Sequence, residues 1–185
     1  MKFNDHSNLI GQHSILSASK YYWVNYDVEK FRQYYTNMLA VERGTRLHEY
    51  AAESIRLGLK RPRTKKTLDM YVNDALGYGM RPEQPLYYSP FAFGTTDAIS
   101  FDNGKLRIHD YKSGVTPAHM EQLMIYAAYF CLEYKIKPID ISMALRIYQN
   151  NEINEYEPMS ADILPIMDKI IAFDKEIVDI RGEAL

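Results

Sequence analysis

Asp97, Asp110 and Lys112 are the residues of this sequence whose types and spacing could do chemistry. Twelve residues separate the two aspartates, and among them stands Asp102-Asn103-Gly104-Lys105. Asn-Gly between two β-prone runs is a strong hairpin signal. Residues 91–101 and 106–112 are therefore expected to fold back on each other and bring the aspartates together. Because side chains alternate along a strand, Asp110 and Lys112 should share one face, with His109 and Tyr111 on the other. Two carboxylates meeting at one point repel each other unless a cation lies between them, and oxygen ligands of this kind suit Mg²⁺ or Mn²⁺. A lysine alongside can place or deprotonate a water, or stabilise charge developing on a phosphate. Asp-x-Lys by itself also occurs in solvated strands, where it is an ion-pair pattern of little energetic value.

The elements that must position these residues follow from periodicity. Helical spacing runs over 27–39, through Val28, Phe31, Tyr35, Met38 and Leu39, and again over 42–59 through Leu47, Ala51 and Ile55. Pro62 should break the second helix, and a short helix with Leu68, Tyr71, Val72 and Ala75 should stop at Gly77. Pro82, Pro85 and Pro90 punctuate extended segments before the hairpin. Residues 117–134 read as a helix with proline in its first turn and Met120, Leu123, Tyr126, Ala127 and Phe130 on one side. A strand at 139–147 turns at Asn150-Asn151 into a partner at 153–156, and a final helix over 160–180 starts behind a Ser160 cap. The order is helices, three strands, a helix, one or two strands and a helix, which makes an α/β (α+β) fold with a mixed sheet.

Composition bounds the rest. At 185 residues, 46% hydrophobic and 25% charged, the chain reads as one domain over 1–185. Its N-terminal helical part is about 1–78, its sheet core about 79–158 and its C-terminal helix about 160–181. The single cysteine, Cys131, excludes an internal disulfide framework, a four-cysteine zinc site and a four-cysteine iron–sulfur cluster. Met1-Lys2-Phe3-Asn4-Asp5-His6 has no basic start leading into an apolar stretch, and no later run is apolar for long enough to span a bilayer. A cytoplasmic protein is expected, in the host cell if the sequence is phage-encoded. With 22 basic and 24 acidic residues, net −2, nucleic-acid binding would have to come from a local patch.

Four segments in order resemble a known family. Glu42-Arg43-Gly44-Thr45-Arg46-Leu47-His48-Glu49, Gly94-Thr95-Thr96-Asp97, Asp110-Tyr111-Lys112-Ser113-Gly114 and Gln122-Leu123-x-x-Tyr126-Ala127 are similar to the motifs of the RecB-type branch of the PD-(D/E)XK nuclease superfamily. The opening His13-Ser14-Ile15-Leu16-Ser17-Ala18-Ser19 also resembles the start of related phage-encoded proteins. The resemblance implies a restriction-endonuclease-like αβββαβ core. It implies His48, Asp97, Asp110 and the backbone carbonyl of Tyr111 as ligands of one or two Mg²⁺ or Mn²⁺ ions, and Lys112 as the catalytic lysine. Gln122 and Tyr126, four apart on one helical face, would support the lysine and the DNA backbone. The second acidic position is Asp110 and not glutamate, as in RecB-type members. Relatives that carry an iron–sulfur cluster need four cysteines, so no cluster is expected here. No helicase domain is expected in these 185 residues.

Other residues admit two readings. Five basic residues in seven, Lys60, Arg61, Arg63, Lys65 and Lys66, could contact DNA phosphates or form a solvated loop. Glu83 could reach the metal or lie in a solvated strand, and Glu49 and Glu53 read as exposed helix charges. Tyr21, Tyr22 and Trp23 could stack on a base, but core packing is favoured.

The function expected is a metal-dependent DNA nuclease, an exonuclease or end-processing enzyme of phage or mobile-element recombination or repair. Its partners would be DNA ends, with a recombinase, annealing protein or helicase as protein partner, and it could be a homo-oligomer. The alternatives are a nucleic-acid-binding or assembly protein that retains the fold and acts through a partner complex, and a regulatory protein aimed at a host nuclease or recombinase.

Overall fold

The computed structural model describes residues 4–183. The reading of Met1-Lys2-Phe3 lies outside the described residues. The chain divides after Glu42 into two compact units.

In the first unit, 3-10 turns at Ser7–Leu9 and Ala18–Asn25 precede the start of α1, Val28–Arg56, whose residues from Arg43 onward belong to the second unit. Asp27 caps α1, its Oδ1 accepting the Lys30 N–H at 2.7 Å. Trp23 is half-buried, its Nε1 donating to the Ser17 carbonyl at 3.0 Å. Tyr21 and Tyr22 are exposed, at 71% and 43%. Core packing of residues 21–23 is thereby corrected: no described side chain of this unit is buried, so there is no core for them to fill.

The two helices expected over 27–59 are one, since nothing between Leu39 and Glu42 interrupts the hydrogen-bond ladder, and it ends before Pro62 is reached. Gly58 takes a left-handed φ of 67°, while the Gly58 and Leu59 N–H groups turn back to the carbonyls of Ile55 and Ser54. That paired return is the C-terminal motif glycine permits at little steric cost.

The second unit carries α2 (Thr67–Gly77), β1 (Arg81–Ser89), β2 (Ala92–Asp102), β3 (Lys105–Tyr111), α3 (Glu121–Tyr134), β4 (Ser142–Gln149), β5 (Glu152–Tyr156) and α4 (Ser160–Glu183). The five strands form a mixed sheet in the order β1-β2-β3-β4-β5, with β3 and β4 parallel and the other pairs antiparallel. A parallel pair cannot be joined by a tight turn, and α3 provides the crossover. The α/β class expected from the sequence is the class observed. The Asn-Gly turn forms as expected, Asn103 and Gly104 having positive φ of 49° and 74°.

Strand alternation sorts the core into two layers. Leu106, Ile108, Met143, Leu145 and Ile147 meet Leu123, Ala127 and Ile163 on one face. Tyr111, Tyr148 and Ala98 meet Tyr71, Val72 and Ala75 of α2, with Ala51 and Ile55 of α1, on the other. β3 is buried on both faces, so it is a rigid base for whatever its end presents.

Two boundaries and one cap differ from expectation: the strand expected over 139–147 runs Ser142–Gln149, because Pro138–Asp140 wind into a 3-10 turn ahead of it. α3 starts at Glu121 and not at 117, because the backbone of 114–118 is held by a side chain from β4 instead of winding into a helical turn. At α4, the Asp162 carboxylate reaches back to the Met159 N–H at 2.8 Å, so the first turn is capped from inside the helix and not by Ser160. Among the described residues, no helix is long and apolar enough to cross a membrane.

Candidate functional site

The aspartates meet through the backbone of β3. Asp97 of β2 is partly buried, and its Oδ2 accepts the Tyr111 N–H at 2.8 Å. The same oxygen stands 3.4 Å from His48 Nδ1 of α1. The imidazole also meets the Tyr111 ring edge-on, with centroids 5.1 Å apart. Tyr111 thus faces α1 and α2, while Asp110 and Lys112 point to the opposite side of the strand, as alternation demands.

Asp110 is 3% exposed. The Lys112 ammonium donates to its Oδ1 at 3.1 Å and lies 3.1 Å from Oδ2. Oδ2 makes no aligned hydrogen bond, so the ammonium neutralises it without filling its lone pairs. Lys112 Nζ donates onward to Gln122 Oε1 at 3.2 Å, and Gln122 Nε2 to the Tyr126 hydroxyl at 3.4 Å. Gln122 and Tyr126 are one α3 turn apart and form a line with the lysine.

Electrostatics agree with this crowding. Burial, and then the Asp97 charge, push the Asp110 carboxyl up to about 6, with Lys112 working the other way. The hydrogen bond to Asp97 raises the His48 imidazole above its ordinary value. Burial and the Asp97 charge also raise Glu83. Glu83 is exposed, yet in the sheet register it lies between the pairs Pro82↔Ala98 and Gln84↔Thr96, level with Asp97, and it holds a left-handed φ of 51°. Its neighbours Pro82 and Pro85 were the only signal in the sequence of this irregularity.

Two glycines allow close approaches at the site. A Cβ on Gly94 of β2 would stand 2.9 Å from Tyr126 Cε1, so the ring rests on bare backbone. A Cβ on Gly44, one turn before His48, would stand 3.0 Å from Ser113 Oγ, just past Lys112. Sequence reading saw both glycines only as members of motifs and missed what each touches. It also missed Gln149 at the end of β4, which holds the backbone between Lys112 and α3.

Of the expected site residues, His48, Asp97, Asp110, Tyr111, Lys112, Gln122 and Tyr126 are brought together. The basic run is a separate group. Arg61 is committed to structure, its Nε on Asp69 at 3.2 Å, its Nη1 on the Tyr50 hydroxyl at 2.5 Å and its N–H on Asn73 at 2.9 Å. Lys60, Arg63, Lys65 and Lys66 are exposed.

As they stand, the side chains are no preformed cage: among the described residues, no three His, Cys, Asp or Glu groups already converge as a metal set. The donors nevertheless fit a hard divalent cation. A buried carboxylate has an oxygen without an aligned hydrogen bond, a second carboxylate repels it, and an imidazole adjoins the second. No family model matches the chain, and comparison with curated proteins found no match.

Proposed function

We propose that this protein is a metal-dependent deoxyribonuclease of the RecB-type PD-(D/E)XK kind, acting on DNA ends. The observation that carries the reading is the run from Asp97 to Tyr126: a carboxylate tied to the backbone beside a second, buried carboxylate, then a lysine, a glutamine and a tyrosine in hydrogen-bond sequence. That set joins two anionic oxygen donors to a cation held ready on one side, as phosphodiester hydrolysis requires.

His48, Asp97 and Asp110 would hold Mg²⁺ or Mn²⁺, with the Tyr111 carbonyl as the backbone donor implied by the resemblance. A divalent ion there supplies charge neutralisation at the scissile phosphate and acidifies a water. Lys112 would orient the attacking water for in-line attack and stabilise negative charge on the phosphate oxygens. Gln122 keeps the ammonium from collapsing fully onto Asp110, because its carbonyl oxygen competes for one of the three N–H groups. Tyr126 fixes the Gln122 amide and offers its hydroxyl edge to the DNA backbone. Asp97 holds the imidazole of His48 in place and prevents the Tyr111 N–H from being left unpaired. The products would be a 5′-phosphate and a 3′-hydroxyl.

The test is cleavage of linear duplex DNA by the purified protein with Mn²⁺, Mg²⁺ or chelator, beside Lys112→Ala. Metal-dependent cleavage that the variant lacks supports the reading. Salt-sensitive DNA binding with no cleavage in any metal would overturn it in favour of a binding or assembly role on the same fold.

A further inference from the structure

Lys112 and Gln122 lie at the two ends of one loop. Residues 113–120 connect β3 to α3, so the position of the lysine relative to its glutamine depends on how that loop is held. Among the described residues, no main-chain to main-chain hydrogen bond involves residues 113–118. Of the loop's apolar side chains, Ala118 and Met120, both at its α3 end, pack against the core, whereas Val115 in its middle is 83% exposed. A loop of this kind is free to fray unless something else satisfies its polar groups.

That something is one side chain. Gln149, the last residue of β4, donates from Nε2 to the Gly114 carbonyl at 2.6 Å and to the Thr116 carbonyl at 2.8 Å. Its Oε1 accepts the Ala118 N–H at 3.3 Å. Both amide hydrogens and the amide oxygen are thus used, and three alternate residues of the loop are held by a single group. No other residue type does this with the same reach, since the task needs two donors and an acceptor on one planar head. β4 is a sound base for it, because the strand pairs with β3 and its Tyr148 carbonyl accepts the Lys112 N–H at 2.9 Å. Gln149 is therefore one residue from the atom that fixes the lysine's backbone. At the other side of the same loop, Ser113 lies against Gly44.

We propose that Gln149 is a positioning residue for the site: its amide clasps the 114–118 backbone and thereby sets the Lys112–Gln122 contact. The inference rests on the nuclease reading for its catalytic consequence, but the clasp itself is a statement about structure. The Gln149 amide bonds to loop backbone and not to the side chains of His48, Asp97, Asp110 or Lys112. Its effect passes through Lys112, and a displacement of the ammonium by about an ångström is enough to cost a large factor in rate.

The experiment compares the full chain with Gln149→Leu, which keeps bulk and removes all three bonds, and Gln149→Glu, which keeps the acceptor but places carboxylate oxygen against two carbonyls. Three readouts are taken: amide hydrogen exchange of 113–120, the NMR signal of the Gln122 side-chain amide, and kcat and KM for DNA. Exchange at Ala118 should rise by roughly tenfold or more in Gln149→Leu, and by less in Gln149→Glu, which keeps the acceptor for that N–H. The Gln122 amide signal should shift, and kcat should fall by about tenfold or more with KM within about threefold of the parent. An unmoved Gln122 signal, or an unchanged kcat despite faster exchange, would overturn the proposal. If the parent protein cleaves no DNA while exchange and the Gln122 signal respond as stated, the nuclease reading fails and the clasp stands. Loss of the native fold in Gln149→Leu is detected by exchange throughout the sheet, and Gln149→Glu then decides.

Discussion

The Asp97 carboxylate accepts the main-chain N–H of Tyr111 at 2.8 Å, so an acidic side chain on β2 is bound to the backbone next to the buried Asp110 of β3. One group therefore serves both the fold and the candidate chemistry, and the two roles can be separated by substitution.

Asp97→Asn keeps an oxygen that can accept the Tyr111 N–H but removes the charge. Stability should stay within about 1 kcal/mol of the parent, while DNA cleavage falls by at least about 100-fold. Asp97→Ala should lose both, with a stability cost of about 1.5–3 kcal/mol for the orphaned N–H and the lost charged acceptor. Urea unfolding beside a cleavage assay measures the two effects.

Gly94 leaves room for the Tyr126 ring, since an added Cβ would lie 2.9 Å from Cε1. Gly94→Ala should push the ring off the strand, loosen Gln122 and lower cleavage, at a stability cost of about 1–3 kcal/mol. Adding Tyr126→Ala relieves the clash, so the double variant should be less destabilised than the sum of the singles. A double-mutant cycle read by thermal unfolding checks it, additive costs being the contrary outcome.

The basic run contains one residue whose role is structural. Asp69 accepts from Thr64 Oγ1 at 2.6 Å and from Arg61 Nε at 3.2 Å, and the Thr64 bond, then Arg61, hold its carboxyl below the ordinary value. A carboxyl with a depressed folded-state value contributes stability above its unfolded value, near 4, and loses that contribution as pH falls through the folded one. Asp69→Asn should therefore destabilise the protein at pH 7 and progressively less below about pH 4. Thermal unfolding of parent and variant between pH 7 and pH 3 tests the sign. Converging curves agree, and a constant offset does not.

If His48, Asp97 and Asp110 hold a divalent ion, that ion stabilises the folded state by mass action, by about 2.7 kcal/mol at a concentration 100 times its dissociation constant. Mn²⁺ should raise the thermal midpoint of the parent, and chelator should return it. Asp110→Ala should show no rise, as measured by calorimetry with and without the ion.

Much of this could be read from sequence because it is local. Alternation along 106–112 put Asp110 and Lys112 on one side of β3, and Asn103-Gly104 set the turn that pairs β2 with β3. Gln122 and Tyr126 share a helical face by spacing alone. What escaped depends on contacts between distant segments. Gln149 is 35 residues from the Gly114 carbonyl that it holds, and nothing in its neighbours marks it. The start of α3 was misplaced for the same reason: Pro117 suits a first helical turn, but the 118 N–H is already taken by Gln149. The aromatic run at 21–23 looked like core from residue type, which is silent on whether enough chain surrounds it.

The carboxylate pair and Lys112 would together make a metal-dependent nuclease. The most direct test is digestion of end-labelled linear duplex, single-stranded and closed circular DNA with Mn²⁺, Mg²⁺ or chelator, beside Asp110→Ala. Metal-dependent loss of linear DNA with the circle spared is expected, with no cleavage by the variant at unchanged fold. Cleavage that persists in Asp110→Ala, or a parent protein that cleaves none of the three substrates in either metal, would contradict it.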